Sequence, residues 1–374
     1  MHIIITLNAC WNIWNFRRPL VEALIADGHR ITVLAPTDES VVNVESIGCR
    51  VIDLSMNVQG LNPLDELKLI RQFKKVFHRE RPDVVLSFTI KNNIFGAMAA
   101  KACCIPFIPN ITGFGTAFLS GGLLQMVAEI LYRKTLFQLP CVFFQNADDY
   151  AFFLARRLIQ SHQGYLLPGS GIDLEYFVAA AYPEQNNPPV FLMIARLLRD
   201  KGVLEYVEAA RYIKETLPLA RFQLLGAADA ANRTAIDTAT VQSWHDEGVI
   251  EYLGKTDDVR PYIAASNCVV LPSYREGAPR ALIEAAAMAR PVIATDVPGC
   301  RAIVDEGITG LLCKERSCQS LASACRKFLA LSHADQLVMG GAGREKMKTE
   351  FNQALVVKAY REAISSITIT HNMA

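Results

Sequence analysis

Two cations lie five residues apart in the run Ala195-Arg196-Leu197-Leu198-Arg199-Asp200-Lys201-Gly202. The apolar run Val190–Ile194 before them has strand character, and an amphipathic pattern over Leu204–Glu215 follows. Arg196 therefore leaves a strand end, and Lys201 stands at a helix start. Two positive side chains beside backbone N–H groups suit a diphosphate, because side-chain charge and helix dipole act on the same anion. The same residues also fit surface charges flanking a loop. A second group is Leu271-Pro272-Ser273-Tyr274-Arg275-Glu276-Gly277-Ala278-Pro279-Arg280, which runs on to Glu284. Glu276 falls at a strand-to-helix turn, Gly277 allows close backbone approach, and Pro279 fits the first helical position. The N–H groups of Gly277 and Ala278 can face an anion or a sugar hydroxyl. Glu284 lies about two helical turns further on, among Ala and Ile, where a carboxylate needs partners. Two such carboxylates suit a polyol, since each accepts from vicinal hydroxyls. They equally fit a dipole partner (Glu276) and a buried ion pair (Glu284). At a third strand end, Tyr252-Leu253-Gly254-Lys255, Gly254 is either a turn glycine or a place where backbone meets a planar ring.

Near the N-terminus, Asn8-Ala9-Cys10-Trp11-Asn12-Ile13-Trp14-Asn15-Phe16-Arg17-Arg18 follows the apolar run Ile3–Leu7. Trp11, Trp14 and Phe16 suit sugar faces or a membrane interface, and Arg17 suits phosphate; core packing is the competing explanation. Lys91-Asn92-Asn93 and Thr112-Gly113-Phe114-Gly115-Thr116 follow two further apolar runs. The glycines there either approach a ligand or make a turn.

These residues are positioned by alternating strands and helices. Ile3–Leu7, Ile31–Ala35, Val51–Leu54, Val84–Ser87, Phe107–Ile111 and Val142–Gln145 have strand character in the first half. Helical patterns run over Phe16–Asp27, Leu64–Arg79 and Ile94–Cys103. Near-continuous apolar strands alternating with helices imply a parallel sheet covered on both faces. Ala179–Pro189 breaks the pattern with Pro, Asn and Gln. Strands then resume at Val190–Ile194, Phe222–Leu225, Ile250–Leu253, Val269–Leu271 and Val292–Ala294, with helices at Leu204–Glu215, Val259–Ala265, Arg280–Ala289 and Leu321–Leu331. The expected organisation is α/β: two Rossmann-like, doubly wound domains facing a cleft. Residues 1–178 form the first, 179–189 a linker and 190–351 the second, with a helix at about 352–366 returning to the first domain. Ligands in such sheets sit beyond the carboxyl ends of the strands.

Composition narrows the classes further. With 374 residues and 51% hydrophobic content the chain can bury two cores, so wholesale disorder is excluded. A formal net charge of +1 argues against nucleic acid as a partner. No pair among the ten cysteines has CxxC spacing, so no metal site is expected, and the cysteines read as small buried residues in a reducing compartment. Ala102–Ala128 carries no charge and is long enough to span a bilayer. Its Pro and Gly residues divide it into a strand, a loop and a helix start. No secretory signal is visible at the N-terminus.

Together these segments resemble the retaining, nucleotide-sugar-dependent family 4 glycosyltransferases of GT-B fold. Glu276 to Glu284 resembles that family's E-x7-E motif, and Arg196 with Lys201 its R-x4-K pair. Ser170-Gly171-Ile172-Asp173 with Phe177 resembles its inter-domain segment, and Ala289–Thr295 with Gly299 follows in order. The resemblance implies that Arg196 and Lys201 neutralise the leaving nucleoside diphosphate. It also implies that Glu276, Gly277, Ala278 and Pro279 hold the donor sugar, Glu284 the ribose, and the backbone at Gly254 the base. No cofactor or metal is implied; a UDP-sugar is the donor substrate. Two departures stand out. Asn8-Ala9-Cys10 replaces the usual Gly-Gly pair, and Thr112-Gly113 stands where many members carry a histidine.

Asn15–Leu20, Lys91–Gly96, Gly113–Gly115 and Met193–Val203 are further similar to the bacterial subgroup that extends sugars on undecaprenyl diphosphate, including N-acetylgalactosaminyl transfer. That similarity implies a polyprenyl-diphosphate-linked saccharide acceptor. Trp11, Trp14, Phe16, Arg17, Lys91, Thr112 and Gly113 would line the acceptor side. Arg17–Arg18 and Arg71–Arg79 would face an anionic membrane surface, with the enzyme peripheral on the cytoplasmic face. A soluble acceptor, a nucleotide-sugar epimerase and a nucleotide-sugar-binding protein of the same fold are the alternatives.

Overall fold

The computed structural model describes residues 1–58, 62–113, 122–227, 232 and 234–372. It divides into two compact units, Met1–Gly171 with Gln353–Ala374, and Ile172–Asn352. Each is built on one parallel sheet.

In the first unit the strands are β1 (His2–Thr6), β2 (Arg30–Ala35), β3 (Arg50–Asp53), β4 (Val84–Phe88), β5 (Phe107–Ile111), β6 (Val142–Phe144) and β7 (Gly164–Leu166). Their order across the sheet is β3-β2-β1-β4-β5-β6-β7. The central strands are buried along their whole length, which requires apolar side chains on both faces. Side chains alternate between the two faces. Ile4 and Val85 pack into one core, while Ile3, Ile5, Val84 and Leu86 pack into the other.

The second unit has β8 (Val190–Ile194), β9 (Arg221–Leu225), β10 (Glu251–Tyr252), β11 (Cys268–Leu271), β12 (Val292–Thr295) and β13 (Gly310–Cys313). Their order is β10-β9-β8-β11-β12-β13. Phe191, Met193, Cys268 and Val270 face one core. Leu192, Val269 and Leu271 face the other.

Several elements differ from the sequence expectation. β7 and β13 were not anticipated, because runs of three and four residues carry little periodicity. The expected loop after β1 is a helix, Trp11–Phe16, and a second helix, Arg18–Ala26, begins with Pro19 in its first turn. The expected helix Ile94–Cys103 opens as a π-helical turn, Asn92–Gly96, before Ala97–Ala102. The helix His333–Glu350 also lies outside the sequence expectation, because Gly340-Gly341-Ala342-Gly343 reads as a break. Those small residues instead allow close packing. A Cβ on Gly340 would overlap the Ala289 carbonyl oxygen, and one on Gly343 would stand 3.5 Å from the Ala286 Cβ.

The stretch 179–189 is not a free linker; it belongs to the second unit. Fully buried Arg290 donates to the carbonyls of Ala180 (3.0 Å), Ala181 (2.5 Å) and Ala264 (2.7 Å). Tyr182 Oη donates to the Asn267 carbonyl at 2.9 Å. Ile172 and Phe177 lie in the second unit's core. Burial lowers the Arg290 guanidinium to about 10, so satisfying its N–H groups matters.

The C-terminal helix Gln353–Asn372 places Val356, Tyr360, Ile364 and Ile367 in the first unit's core. Asn110 Nδ2 donates to Tyr360 Oη at 2.9 Å, and the Tyr360 ring lies 4.7 Å from that of Phe143. Tyr360→Phe keeps the packing but leaves the buried Asn110 amide without this acceptor. A cost of about 1–3 kcal/mol follows, read as a melting temperature lower by roughly 2–8 °C.

All ten cysteines are free, and seven are buried. Burial pushes the Cys10 thiol up to about 11 and Cys49 to about 12, which keeps both in the unreactive form at neutral pH. Among the described residues no helix is long and apolar enough to cross a membrane.

Candidate active site

The candidate chemistry in the second unit collects just past the carboxyl ends of its strands. After β8 the chain passes Arg196, which is exposed, and forms a 3-10 turn, Arg199–Lys201. Gly202 then takes φ +75°, and the helix Val203–Lys214 begins. Two constraints require glycine at 202. The left-handed conformation is costly for other residues, and a Cβ would overlap the Pro272 carbonyl oxygen beyond β11. The Tyr274 N–H donates to the Asp200 carbonyl at 2.9 Å. The loops after β8 and β11 are thus pinned to each other, although their residues lie over 70 positions apart.

That pinning joins the two groups of residues singled out from the sequence. Lys201 Nζ donates to Glu276 Oε1 at 2.5 Å, with only 23% and 11% of the two side chains exposed. The pair is less screened than a surface ion pair, so its charges act strongly on anything placed beside it. Tyr274 Oη donates to Glu205 Oε1 at 2.7 Å, and the Arg316 guanidinium lies 4.7 Å over the Tyr274 ring. Burial, with Glu205 beside it, raises the Tyr274 phenol well above its ordinary range. Tyr274 is therefore a neutral spacer holding the loop.

Pro279 is the N-cap of the helix Arg280–Ala287, one position earlier than expected. Glu276 accordingly lies in the loop, and only Glu284 is on the helix. Each carboxylate has its own cation: Arg280 Nε donates to Glu284 Oε1 at 3.0 Å. Burial raises the Glu284 carboxyl above its usual range, and Arg280 opposes that shift. Gly299 has φ +82°, and a Cβ there would stand 2.5 Å from the Gly277 carbonyl oxygen and 2.6 Å from that of Glu276. The turn at Gly299 therefore buttresses the Glu276–Gly277 backbone.

One structural residue of the site has only a weak signal in the sequence. Gly226, directly after β9, has no room for a side chain: a Cβ would overlap the Ala195 carbonyl oxygen. Its N–H donates to the Gly254 carbonyl at 2.7 Å, and its own carbonyl accepts from Tyr252 Oη at 3.1 Å. It ties together the ends of β8, β9 and β10. A glycine closing a strand was the available signal. Gly254 itself has φ +71°, with no described atom within 4 Å of its Cβ position. Backbone conformation, not close approach within the protein, sets glycine there.

In the first unit the expected acceptor residues follow β1, β4 and β5, which are adjacent in the sheet. Trp11 is 50% exposed and meets Phe16 edge to face, with ring centroids 5.1 Å apart. Trp14 carries the Arg18 guanidinium over its ring at 4.5 Å. Arg17 departs from expectation: it is 7% exposed, with its guanidinium 4.4 Å from the Phe88 ring centroid, so it does not face a membrane surface. Arg18 pairs with Glu22 at 2.7 Å, and Arg79 with Glu80 at 2.8 Å. Lys91 Nζ donates to Glu66 Oε1 at 2.5 Å and to the Asn57 carbonyl at 2.7 Å. It borders a cavity of about 270 Å³ with Ser55, Met56 and Gln72. Thr112 and Gly113 lie just past β5, Gly113 at φ 136°. Phe114, Gly115 and Thr116 lie outside the described residues.

The buried polar residues behind these positions were not anticipated as a network. Asn92 Nδ2 donates to Thr6 Oγ1 at 2.7 Å, and Asn93 Nδ2 to the Asn110 carbonyl at 2.8 Å. These bonds cross-link the ends of β1, β4 and β5.

Two family descriptions match this chain. Residues 188–330 match the glycosyl transferases group 1, and residues 13–162 match the glycosyl transferase 4-like domain. The chain is a glycosyltransferase, with one of these domains in each unit. Among its relatives is the N,N'-diacetylbacillosaminyl-diphospho-undecaprenol alpha-1,3-N-acetylgalactosaminyltransferase of Campylobacter jejuni, 28% identical over 83% of this chain and 85% of the relative. Another is the UDP-Gal:alpha-D-GlcNAc-diphosphoundecaprenol alpha-1,3-galactosyltransferase of Escherichia coli, 25% identical over 71% of each chain. The structure of sucrose-phosphate synthase from Thermosynechococcus elongatus superposes with a TM-score of 0.81 at 21% identity, covering 98% of this chain and 100% of that one. The fold of this glycosyltransferase is GT-B.

Proposed function

We propose that this glycosyltransferase moves a hexosyl group, an N-acetylhexosamine or related hexose, from a UDP-sugar to a saccharide on undecaprenyl diphosphate. The reaction retains anomeric configuration and serves surface-polysaccharide or glycoprotein-glycan assembly on the cytoplasmic face of the membrane. The names of the Campylobacter jejuni and Escherichia coli relatives support the acceptor class, and the latter name supports a UDP-linked donor. The observation that carries the chemistry is the half-buried Lys201–Glu276 pair at the carboxyl ends of β8 and β11.

In the proposed step the bond between the anomeric carbon and the diphosphate oxygen breaks, and the acceptor hydroxyl oxygen bonds to that carbon on the same face. The hydroxyl proton passes to the departing phosphate oxygen. Negative charge grows on the diphosphate, so fixed cations and a helix N-terminus that need no reorganisation lower the barrier. Arg196 and Lys201 supply the cations, and the first turn after Gly202 supplies N–H groups. Glu276, with the backbone of Gly277, Ala278 and Pro279, holds the sugar hydroxyls. Glu284 holds the ribose, and the backbone at Gly254 faces the base.

The charge needed by the leaving group comes from the protein in this reading, so transfer continues at an undiminished rate in EDTA. The test incubates the purified chain with a panel of UDP-sugars and extracted undecaprenyl-diphosphate saccharides and weighs the products. One added hexose residue on a lipid-linked saccharide is the expected result. Turnover confined to lipid-free acceptors would overturn the acceptor assignment.

A further inference from the structure

The uncharged run that ends at Ala128 leads into the helix Gly122–Leu136. Its inward face places Ala128, Tyr132 and Leu136 in the first unit's core. An outward helical face in water ordinarily carries polar side chains. Here Met126, Val127 and Ile130 are 53%, 44% and 49% exposed. Exposed Arg133 and Lys134 continue the same face, so the five positions fall within an arc of about 120°. The stripe is apolar toward the helix N-terminus and cationic toward its C-terminus.

The stripe itself carries charge of one sign. Neither Arg133 nor Lys134 has a carboxylate at ion-pair distance among the described residues. The nearby acid, Glu129, is engaged by Arg156 at 3.5 Å and by Gln125 at 2.8 Å. Lys101 Nζ donates to Gln138 Oε1 at 2.8 Å, which brings another cation to the helix's C-terminal end. Of the expected membrane patches, Arg17 is buried and Arg18 and Arg79 are paired, while Arg71 and Lys75 stand exposed on the helix Pro63–Glu80 without an apolar stripe beside them as wide as this one.

We infer that the outward face of the helix Gly122–Leu136 docks on an anionic lipid bilayer. Met126, Val127 and Ile130 would enter the headgroup–acyl boundary, and Arg133 and Lys134 would meet lipid phosphates. Apolar side chains flanked by cations that have no carboxylate partner among the described residues match that surface in both chemistry and charge; the Arg133 guanidinium stands 6.0 Å from the centroid of the Phe137 ring. The inference deepens the proposed lipid-linked acceptor by naming the face that meets the membrane, yet it is read without any sugar substrate.

The full chain is sedimented with phosphatidylcholine vesicles and with equimolar phosphatidylcholine–phosphatidylglycerol vesicles. Binding to the anionic vesicles is expected to be at least 10-fold tighter, and to weaken with added salt. Met126→Ser/Val127→Ser/Ile130→Ser is expected to lose at least 10-fold in vesicle binding. Arg133→Glu/Lys134→Glu is expected to abolish the preference for anionic lipid. Both variants are expected to melt within about 2 °C of the parent, since all five sites are exposed. Equal binding by parent and variants, no binding by the parent, or vesicle-free self-association lost in the triple variant would overturn the inference. Vesicle binding without transfer to lipid-linked acceptors would sink the proposed acceptor and leave this surface standing.

Discussion

Lys201→Ala is expected to lower kcat by about 10²- to 10³-fold, the range seen when one preorganised stabiliser of developing charge is removed. The ammonium is held within a fixed frame. Gly202 is wedged on the Pro272 carbonyl, Asp200 accepts from the Tyr274 N–H, and Glu276 holds Nζ at 2.5 Å. A charge fixed in this way stabilises a departing diphosphate without rearranging during the reaction. Removing it also leaves Glu276 without its cation, so a loss of activity alone would be ambiguous. Glu276→Gln resolves this. In that variant Lys201 keeps its charge and loses a competing carboxylate, so UDP binding is expected to hold or tighten while transfer falls. If Lys201 serves only to neutralise Glu276, Glu276→Gln should instead leave transfer close to the parent rate. Steady-state kinetics with UDP titrations on both variants separate the two outcomes.

Gly226→Ala is expected to cost about 3 kcal/mol or more of stability, the upper part of the range for overpacking. Its Cβ would overlap the Ala195 carbonyl oxygen, a backbone atom that cannot rotate aside. Relief requires the ends of β8 and β9 to part, which moves the adjoining Arg196. A displacement near 1 Å at such a site costs about 10²-fold in rate, so activity should fall in whatever fraction remains folded. Gly248→Ala is the control. It has φ +72° and no neighbour within 4 Å of the Cβ position, so it incurs only left-handed backbone strain of about 1–2 kcal/mol. Thermal unfolding of the two variants is the measurement. Similar losses at the two positions would contradict the packing argument.

The alternation of strand and helix was legible because the strands are buried on both faces, which writes uninterrupted runs such as Val190–Ile194 into the sequence. β7 and β13 are too short to leave that signature. Arg290 shows a second limit. Its five donors are met by carbonyls that include Ala180 and Ala181, which turns an apparently polar linker into part of a domain, and no local pattern announces such bonds. The position of Arg17 was equally hidden, since arginine is almost never buried without partners, and the Phe88 ring, which lies far from it in the sequence, is one of those here. At the site, residue types and their place at strand ends pointed to Arg196, Lys201, Glu276 and Glu284. The direct bond between Lys201 and Glu276 was not legible, because it depends on two loops brought together by a parallel pairing of β8 and β11.

Calorimetric titration of uridine diphosphate into the parent, Arg196→Ala and Lys201→Ala tests the gripping of the leaving group most directly. A single site in the parent, weakened at least 10-fold in each variant, is the predicted result. A parent that does not bind, or variants that bind as tightly as the parent, would contradict it.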